Sequence, residues 1–206
     1  MNKQKSPIII PTDERWPLLE MVSQSCGLPL SHAEEQAVVE MDQLLELLDE
    51  EAAGLAAVQI GVPRRIFLLR NGVDSEGKAF NKVYINPTIV ARSKAVTKKG
   101  EGCLSIPGMG ALVERPKSVT LEYFDLDGEV HTETFTGFWA KAVMHEMDHL
   151  NGILIVQHLE SQMTKQPRCN SFGMKITPQR QKAIARRRAQ TKRARRVKKH
   201  AKATGR

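Results

Sequence analysis

The sequence predicts an α+β fold in which mainly antiparallel sheets pack around a central helix carrying the motif H-E-x-x-H. Three observations support this prediction. Two strongly helical segments flank a middle region that is rich in strand-forming residues. The strand segments follow one another instead of alternating with helices, which favours antiparallel over parallel sheets. Apolar residues make up 41% of the chain, enough for a substantial core.

The elements are predicted in order along the chain. A first amphipathic helix spans residues 34–51. Its apolar stripe comprises Val38, Val39, Met41, Leu44, Leu45, Leu47 and Leu48. Residues 65–70, 82–90 and 118–135 are predicted strands, and the last segment is a hairpin that turns at Asp127 and Gly128.

A second helix carries the most informative motif of the chain, His145-Glu146-x-x-His149. Apolar residues recur around it at helical spacing: Phe138, Trp139, Ala142, Val143 and Leu150. Residues four apart share one helix face, so both histidines can bind one metal ion. Glu146 lies close enough to exchange a proton with a water on that ion. A chance match on a surface helix is the alternative, but two histidines on a buried face need a partner.

The third metal ligand is expected upstream of the motif. The metzincin continuation H-E-x-x-H-x-x-G-x-x-H is matched as far as Gly152, but Ile155 occupies the last histidine position. His158 lies off this pattern, and a generic zinc endopeptidase is therefore disfavoured. Cys103 is the best upstream candidate because glycines near it allow a close approach of the backbone. Cys26 remains the weaker competitor.

The cysteine content predicts a reduced protein. Of Cys26, Cys103 and Cys169, no two form a C-x-x-C unit. The first residues, MNKQKSPIII, lack the apolar stretch of a secretion signal. An odd cysteine count without an export signal is not typical of a disulfide framework. No apolar stretch is long enough to span a bilayer. We therefore expect a cytoplasmic protein with no membrane partner.

A third segment, residues 52–59, is a run of small residues that ends in Gln59. Small residues let another chain lie close to this backbone, and an extended peptide could pair with Ala53 and Gly54 as an added strand. The Gln59 amide can donate two hydrogen bonds to an oxygen that gains negative charge. A packing loop with an incidental glutamine is the alternative interpretation.

Together, the three segments resemble the conserved blocks of the peptide deformylase family. That family shows G-x-G-L-A-A-x-Q, E-G-C-L-S and Q-H-E-x-D-H-L-x-G in this order. The corresponding segments here are residues 52–59, 101–105 and 144–152. The ordered occurrence of all three blocks is far more specific than H-E-x-x-H alone, and the resemblance extends over roughly residues 8–160.

The resemblance implies a specific site and reaction. Cys103, His145 and His149 would bind one divalent metal, with Fe(II) in the cell and Zn, Ni or Co able to substitute. Glu146 would be the general acid/base, while Gln59 and the backbone N–H of Leu104 would stabilise the oxyanion. Ala53, Gly54 and Gly102 would contact the substrate. The implied reaction is hydrolysis of the N-formyl group from the N-terminal methionine of nascent polypeptides, releasing formate, by a protein expected to be a monomer.

Four departures from the family pattern leave alternatives open. Ala52 replaces a glycine, Val58 a frequent proline, Met144 a glutamine, and Gly110 lies near an arginine position. A divergent paralogue could act on another small acyl-amide, or bind ribosomes without deformylation. A nucleic-acid-binding protein with a structural metal site is a further alternative.

The C-terminal region differs sharply in composition. Every charged residue after Glu160 is basic, and the chain carries a formal net charge of +8. We expect a catalytic domain over residues 1–165 and a basic extension over residues 166–206, disordered or helical when bound. A solvated extension that only improves solubility is the alternative. Because deformylases act at the ribosome, the residues expected to contact ribosomal RNA are Arg186, Arg187, Arg188, Lys192, Arg193, Arg195 and Arg196.

Overall fold

The computed structural model describes residues 7–48, 52–158 and 163–165. These residues form helices α1 (His32–Leu48) and α2 (Gly137–Leu150). Short 3-10 turns cover Trp16–Glu20, Ala57–Ile60 and Ile155–His158. The strands are β1 (Gly54–Ala56), β2 (Ile66–Val73), β3 (Ala79–Arg92), β4 (Val96–Cys103), β5 (Ile106–Pro116), β6 (Ser118–Phe124), β7 (Val130–Thr136) and β8 (Met163–Lys165). The predicted α+β class with antiparallel sheets is confirmed.

The first sheet contains five antiparallel strands in the order β1-β2-β3-β6-β7. Strand β6 shows why one face of this sheet is buried: Val119, Leu121 and Tyr123 alternate with less buried residues. The Tyr123 ring packs 4.5 Å from that of Tyr84 on β3. This apolar, aromatic face provides the surface on which α2 lies.

The second sheet has the strand order β4-β5-β8, and the sequence did not predict it. Strands β4 and β5 form a hairpin in which the pairing shifts register between Gly102 and Cys103. Cys103 pairs with Ile106, so Leu104 and Ser105 form the tight turn between the strands. The sequence of β4, VTKKGEGC, combines lysines with glycines and lacks apolar alternation, which explains why its pattern gave no strand signal.

Helix α1 begins with a capping arrangement at Ser31. The backbone N–H and the hydroxyl of Ser31 both donate to Glu34 Oε2, at 2.8 and 2.7 Å. The predicted apolar stripe is partly wrong, because Val39 and Leu47 are 54% and 61% exposed. Both lie beside the stripe that packs on the sheet, in which Met41 is fully buried. The predicted helix end falls on residues 49–51, outside the described residues.

Helix α2 lies at the centre of the largest apolar cluster. It begins after Thr136 at Gly137, whose φ of +57° is readily adopted only by residues without a Cβ. Nearly every residue after the first turn is buried, including both histidines of the motif. Most of this helix is buried because the five-stranded sheet and strand β5 of the second sheet both contact it.

Part of the prediction falls outside the described residues. The boundary between residues 165 and 166, Cys169 and the seven proposed RNA-binding residues cannot be compared with the structure. Among the described residues, no helix combines the length and the apolar character needed to cross a membrane.

Gly152 provides a stability test of the end of α2. Its φ is +70°, and an added Cβ would lie 2.5 Å from the Glu20 carbonyl oxygen. Gly152→Ala is therefore expected to cost more than the roughly 1–2 kcal/mol of a left-handed conformation alone. Gly77→Ala is the matched control, because Gly77 has a φ of +79° with no atom within 4 Å of its Cβ position. Equal losses of unfolding free energy in urea would contradict the predicted clash.

Candidate active site

Three ligand atoms converge where α2 meets the end of β4. The donor atoms of Cys103, His145 and His149 all lie within 4.8 Å of one another, in the one such group found among the described residues. The distance from Cys103 Sγ to His149 Nε2 is 3.3 Å, and the two histidine rings lie 5.0 Å apart. The helical spacing of four residues places both rings on one face of α2, and the β4–β5 turn brings the sulfur to them.

The electrostatics of this cluster favour a thiolate. Burial would raise the pKa of Cys103, but His149 and His145 outweigh burial and hold it well below its ordinary value. Burial would lower the pKa of His145, but the Cys103 sulfur and Glu101 raise it well above its ordinary value. A thiolate is the form of cysteine that binds metals, and a divalent ion could replace the proton on His145.

Cys26, the competing ligand candidate, lies in a different environment. Its backbone N–H donates to Asn86 Oδ1 at 2.8 Å, and it packs in the cluster beneath α1. Burial and the Glu34 carboxylate raise the pKa of its thiol to about 12, so it stays neutral. The other candidate, His158, has its Nε2 atom 2.7 Å from Asp148 Oδ2. Neither residue belongs to the three-ligand cluster.

Glu146 lies beside the cluster and is almost completely buried, with 1% of its surface exposed. Burial raises the pKa of its carboxyl to about 7, although His145 and His149 act in the opposite direction. Its Oε2 atom has no hydrogen-bond partner in the described part of the chain, and the same is true of His149 Nδ1. Unpartnered buried oxygens are rare in folded proteins, so this carboxylate fits a site that receives a water or substrate. Two imidazoles, one thiolate and this adjacent carboxylate suit a catalytic metal site with an open position.

Gly54 on β1 makes room for Glu146. A Cβ at Gly54 would lie 2.8 Å from Glu146 Oε1 and 2.6 Å from Leu69 Cδ2. The carbonyl of the neighbouring Ala53 accepts a hydrogen bond from the Arg70 N–H at 2.9 Å. Among the described strands, β1 is the last in its sheet, so its other edge is available for pairing with a further strand.

The Gln59 amide is fixed at both ends. Its Oε1 atom accepts a hydrogen bond from the Ala56 N–H at 2.9 Å. Its Nε2 atom donates to Ser105 Oγ at 3.1 Å and lies 3.9 Å from Cys103 Sγ. The donor end of Gln59 therefore faces the ligand cluster. Leu104, the other predicted donor, lies in the turn between Cys103 and Ile106.

Sequence reasoning missed a chain of buried charges behind His145. Glu101 Oε2 lies 3.2 Å from His145 Nδ1, and Arg115 binds both oxygens of Glu101 at 3.0 Å. Arg115 also reaches Asp148, at 2.7 Å. Burial would raise the pKa of Glu101, but His145 and Arg115 lower it to about 2. Such a carboxylate fixes the ring orientation of a metal-binding histidine.

Glu101 and Asp148 belonged to recognised motifs, so their presence could have suggested a role. Arg115 carried no such signal, because only the pairing of β4 with β5 brings it to Glu101. Among the residues that depart from the motif pattern, Ala52, Val58 and Met144 are buried core residues. Gly110 lies in the middle of the second sheet, paired with Gly102 and Thr164. Gly102 itself is buried at the register shift.

Comparisons with known proteins agree with this geometry. The model of the polypeptide deformylase family matches residues 17–165. A peptide deformylase of Afipia carboxidovorans is 41% identical over 127 residues, which cover 62% of this chain and 73% of that protein. The peptide deformylase of Brucella suis biovar 1 is 38% identical over 154 residues, which cover 74% of this chain and 83% of that protein.

Solved structures give the same result. A class I type b peptide deformylase from Acinetobacter baumannii, bound to Met-Ala-Ser, matches with a TM-score of 0.63 and 29% identity. The match covers 74% of this chain and 97% of that one. Peptide deformylase from Thermotoga maritima matches with a TM-score of 0.64 and 28% identity. This match covers 75% of the present chain and 97% of the Thermotoga chain. With the family model spanning most of its length, the chain belongs to the polypeptide deformylase family.

Proposed function

We propose that this chain is a metal-dependent hydrolase that removes the N-formyl group from the N-terminal methionine of nascent polypeptides and releases formate. Its membership of the deformylase family supports this activity. The observation that carries it is the buried, unpartnered Glu146 oxygen beside the cluster of Cys103, His145 and His149. A base adjacent to three metal ligands is an arrangement that suits metal-assisted hydrolysis of an amide.

Cys103, His145 and His149 are proposed to hold one divalent ion. Such an ion would acidify a water and polarise the formyl carbonyl. A mixed thiolate and imidazole set accepts Fe(II), Zn, Ni and Co. The family resemblance leads us to propose Fe(II) as the ion in the cell, with the other three able to replace it. The low pKa of Cys103 supports its assignment as a ligand.

Glu146 is proposed as the general acid/base. A pKa of about 7 lets one carboxylate take a proton from the attacking water and then give it to the leaving amine. Gln59 and the backbone N–H of Leu104 are the proposed oxyanion donors. The fixed orientation of the Gln59 amide supports this role, because donors held in place before the reaction need no reorganisation during it.

The substrate peptide is proposed to pair with the outer edge of β1 at Gly54 and with the preceding Ala53, and Gly102 is proposed as a further contact. An extended chain added to an edge strand gains backbone hydrogen bonds. The carbonyl carbon of a formyl group carries only a hydrogen where larger acyl groups carry a carbon substituent. A tight space near the ligand cluster would therefore exclude the larger groups. A formylated chain emerges from the ribosome, which leads us to propose that the protein works in the cytoplasm. We also propose that it is a monomer.

A divergent paralogue remains a second candidate. Ala52, Met144 and Gly110 depart from the family pattern and motivate it. However, Ala52 and Met144 are buried in apolar clusters, where they contribute packing. A comparison of formyl-Met-Ala with acetyl-Met-Ala as substrates separates the candidates: a preference for the acetylated peptide would favour the paralogue.

Glu146→Gln tests the proposed base. We expect the variant to keep one metal ion per chain while formate release from formyl-Met-Ala falls by about 10²–10⁴-fold, the usual contribution of a general acid/base. Metal content is measured by elemental analysis of the same preparation. Cys103→Ala should lose most of the metal, whereas Cys26→Ala, at another buried cysteine, should not. Loss of metal from Glu146→Gln would contradict the assignment.

Substitutions at Gln59 and Ser105 test the proposed role of the Gln59 amide as an oxyanion donor. Gln59→Ala should lower kcat by about 10²–10³-fold. Ser105→Ala should lower kcat by about tenfold with little change in KM, because an unpinned amide is less well oriented. In the Gln59→Ala background, Ser105→Ala should have no further effect. Ser23→Ala, at a buried serine elsewhere, is the control. Equal losses from Ser105→Ala in both backgrounds would refute the link.

The basic extension is proposed to bind ribosomal RNA. Glutamine substitutions at the seven proposed contacts should abolish co-sedimentation of the full-length chain with 70S ribosomes at low salt. Added salt should weaken wild-type binding steeply, because phosphate contacts release counterions. The residues to be replaced are Arg186, Arg187, Arg188, Lys192, Arg193, Arg195 and Arg196. Equal sedimentation of both proteins would disprove the proposal.

A further inference from the structure

Lys141 is a buried lysine on α2 that the proposed reaction does not use. Only 6% of its surface is exposed. Burial lowers the pKa of its ammonium group; Glu101 opposes this effect, and Lys99 and Arg115 add to it. Lysine is rarely so buried without a structural or functional reason, because removing its charge from water is costly.

The ammonium group of Lys141 connects α2 with β4. Its Nζ atom donates a hydrogen bond to the carbonyl oxygen of Gly100 at 2.9 Å. The same atom lies 5.7 Å from the centroid of the Phe138 ring, one turn earlier on the helix. This is cation–π range, which offsets part of the cost of burial. The hydrogen bond joins residues 41 positions apart in the sequence.

This contact is the first of three that join the same helix and strand. Lys141, His145 and His149 are spaced four residues apart and therefore lie along one side of α2. Their contacts follow one another along β4, at 2.9, 3.2 and 3.3 Å, with Gly100, Glu101 and Cys103. The second and third contacts involve the proposed metal ligands, and the first does not.

We propose that Lys141 is a positioning residue for the metal site. By binding Gly100, it fixes α2 against β4 one turn before the histidines, so that the histidines and Cys103 are held in place before a metal binds. The inference rests on the proposed ligand set but not on the reaction. The hydrogen bond from an ammonium group is charge-assisted, and it is stronger than one from a neutral donor.

The physical reason is preorganisation. The thiolate comes from one element and the imidazoles from another, so metal binding must otherwise fix their relative position at an entropic cost. A contact that already fixes the helix on the strand removes part of that cost. Groups that hydrogen-bond to metal ligands typically change metal affinity by about 10–100-fold. We expect Lys141 to act in this range because Gly100 adjoins Glu101, the partner of His145.

Lys141→Met tests this proposal, because methionine keeps much of the side-chain volume and removes the donor. The full-length, metal-free protein is titrated with Zn²⁺ against a competing chelator, and its Co²⁺ complex is examined by absorption spectroscopy. We expect Zn²⁺ affinity to fall by about 10–100-fold and the sulfur-to-cobalt band to shift. Lys141→Arg, which restores a charged donor, should bind Zn²⁺ within about threefold of wild type.

Lys82→Met is the matched control. Lys82 binds Glu133 at 2.7 Å and lies 5.3 Å from the Tyr123 ring, away from the ligand cluster. It should lower the unfolding free energy in urea without changing Zn²⁺ affinity. Wild-type affinity in Lys141→Met would overturn the proposal and leave Lys141 with a purely structural role. If Lys141→Met does not fold, a tenfold or larger loss in folded Lys141→Arg overturns it. A wild-type protein that binds no Zn²⁺ would instead refute the proposed ligand set.

Discussion

The contact between α2 and β4 is the interaction on which the candidate site depends. Three successive turns of the helix meet the strand at Gly100, Glu101 and Cys103. Neither element holds a complete ligand set, because the helix supplies two imidazoles and the strand supplies the sulfur. The five-stranded sheet supports the other side of α2, so its orientation is fixed by apolar packing as well as by these polar contacts.

Neighbouring charges give chemically identical buried groups different properties. Cys103 lies against two histidines and has a lowered pKa, whereas burial and Glu34 raise the pKa of Cys26 to about 12. Two buried glutamates differ in the same way. Arg115 and His145 hold the pKa of Glu101 at about 2, while burial raises that of Glu146 to about 7. One carboxylate thus stays ionised and orients a ring, and the other suits proton transfer.

Prediction from sequence succeeded where structure is local or strongly periodic. Both helices were predicted, and so were β2, β3 and the hairpin of β6 and β7. It failed for β4 and β5, whose glycines and charged residues obscure any alternation. It also placed Val39 and Leu47 in the buried stripe, because helical spacing alone does not define which neighbouring positions the sheet covers.

The sequence by itself determined that His145 and His149 share one helix face with Glu146 beside them, because the geometry of an α-helix relates residues four apart. Only the tertiary structure decided which cysteine joins them. Cys103 is 46 residues away from His149 in sequence, and no local rule connects the two. The tertiary structure also decided the surroundings of Arg115 and Lys141 and the pKa of Glu146. Each depends on contacts between elements distant in sequence and on the exclusion of water from between them.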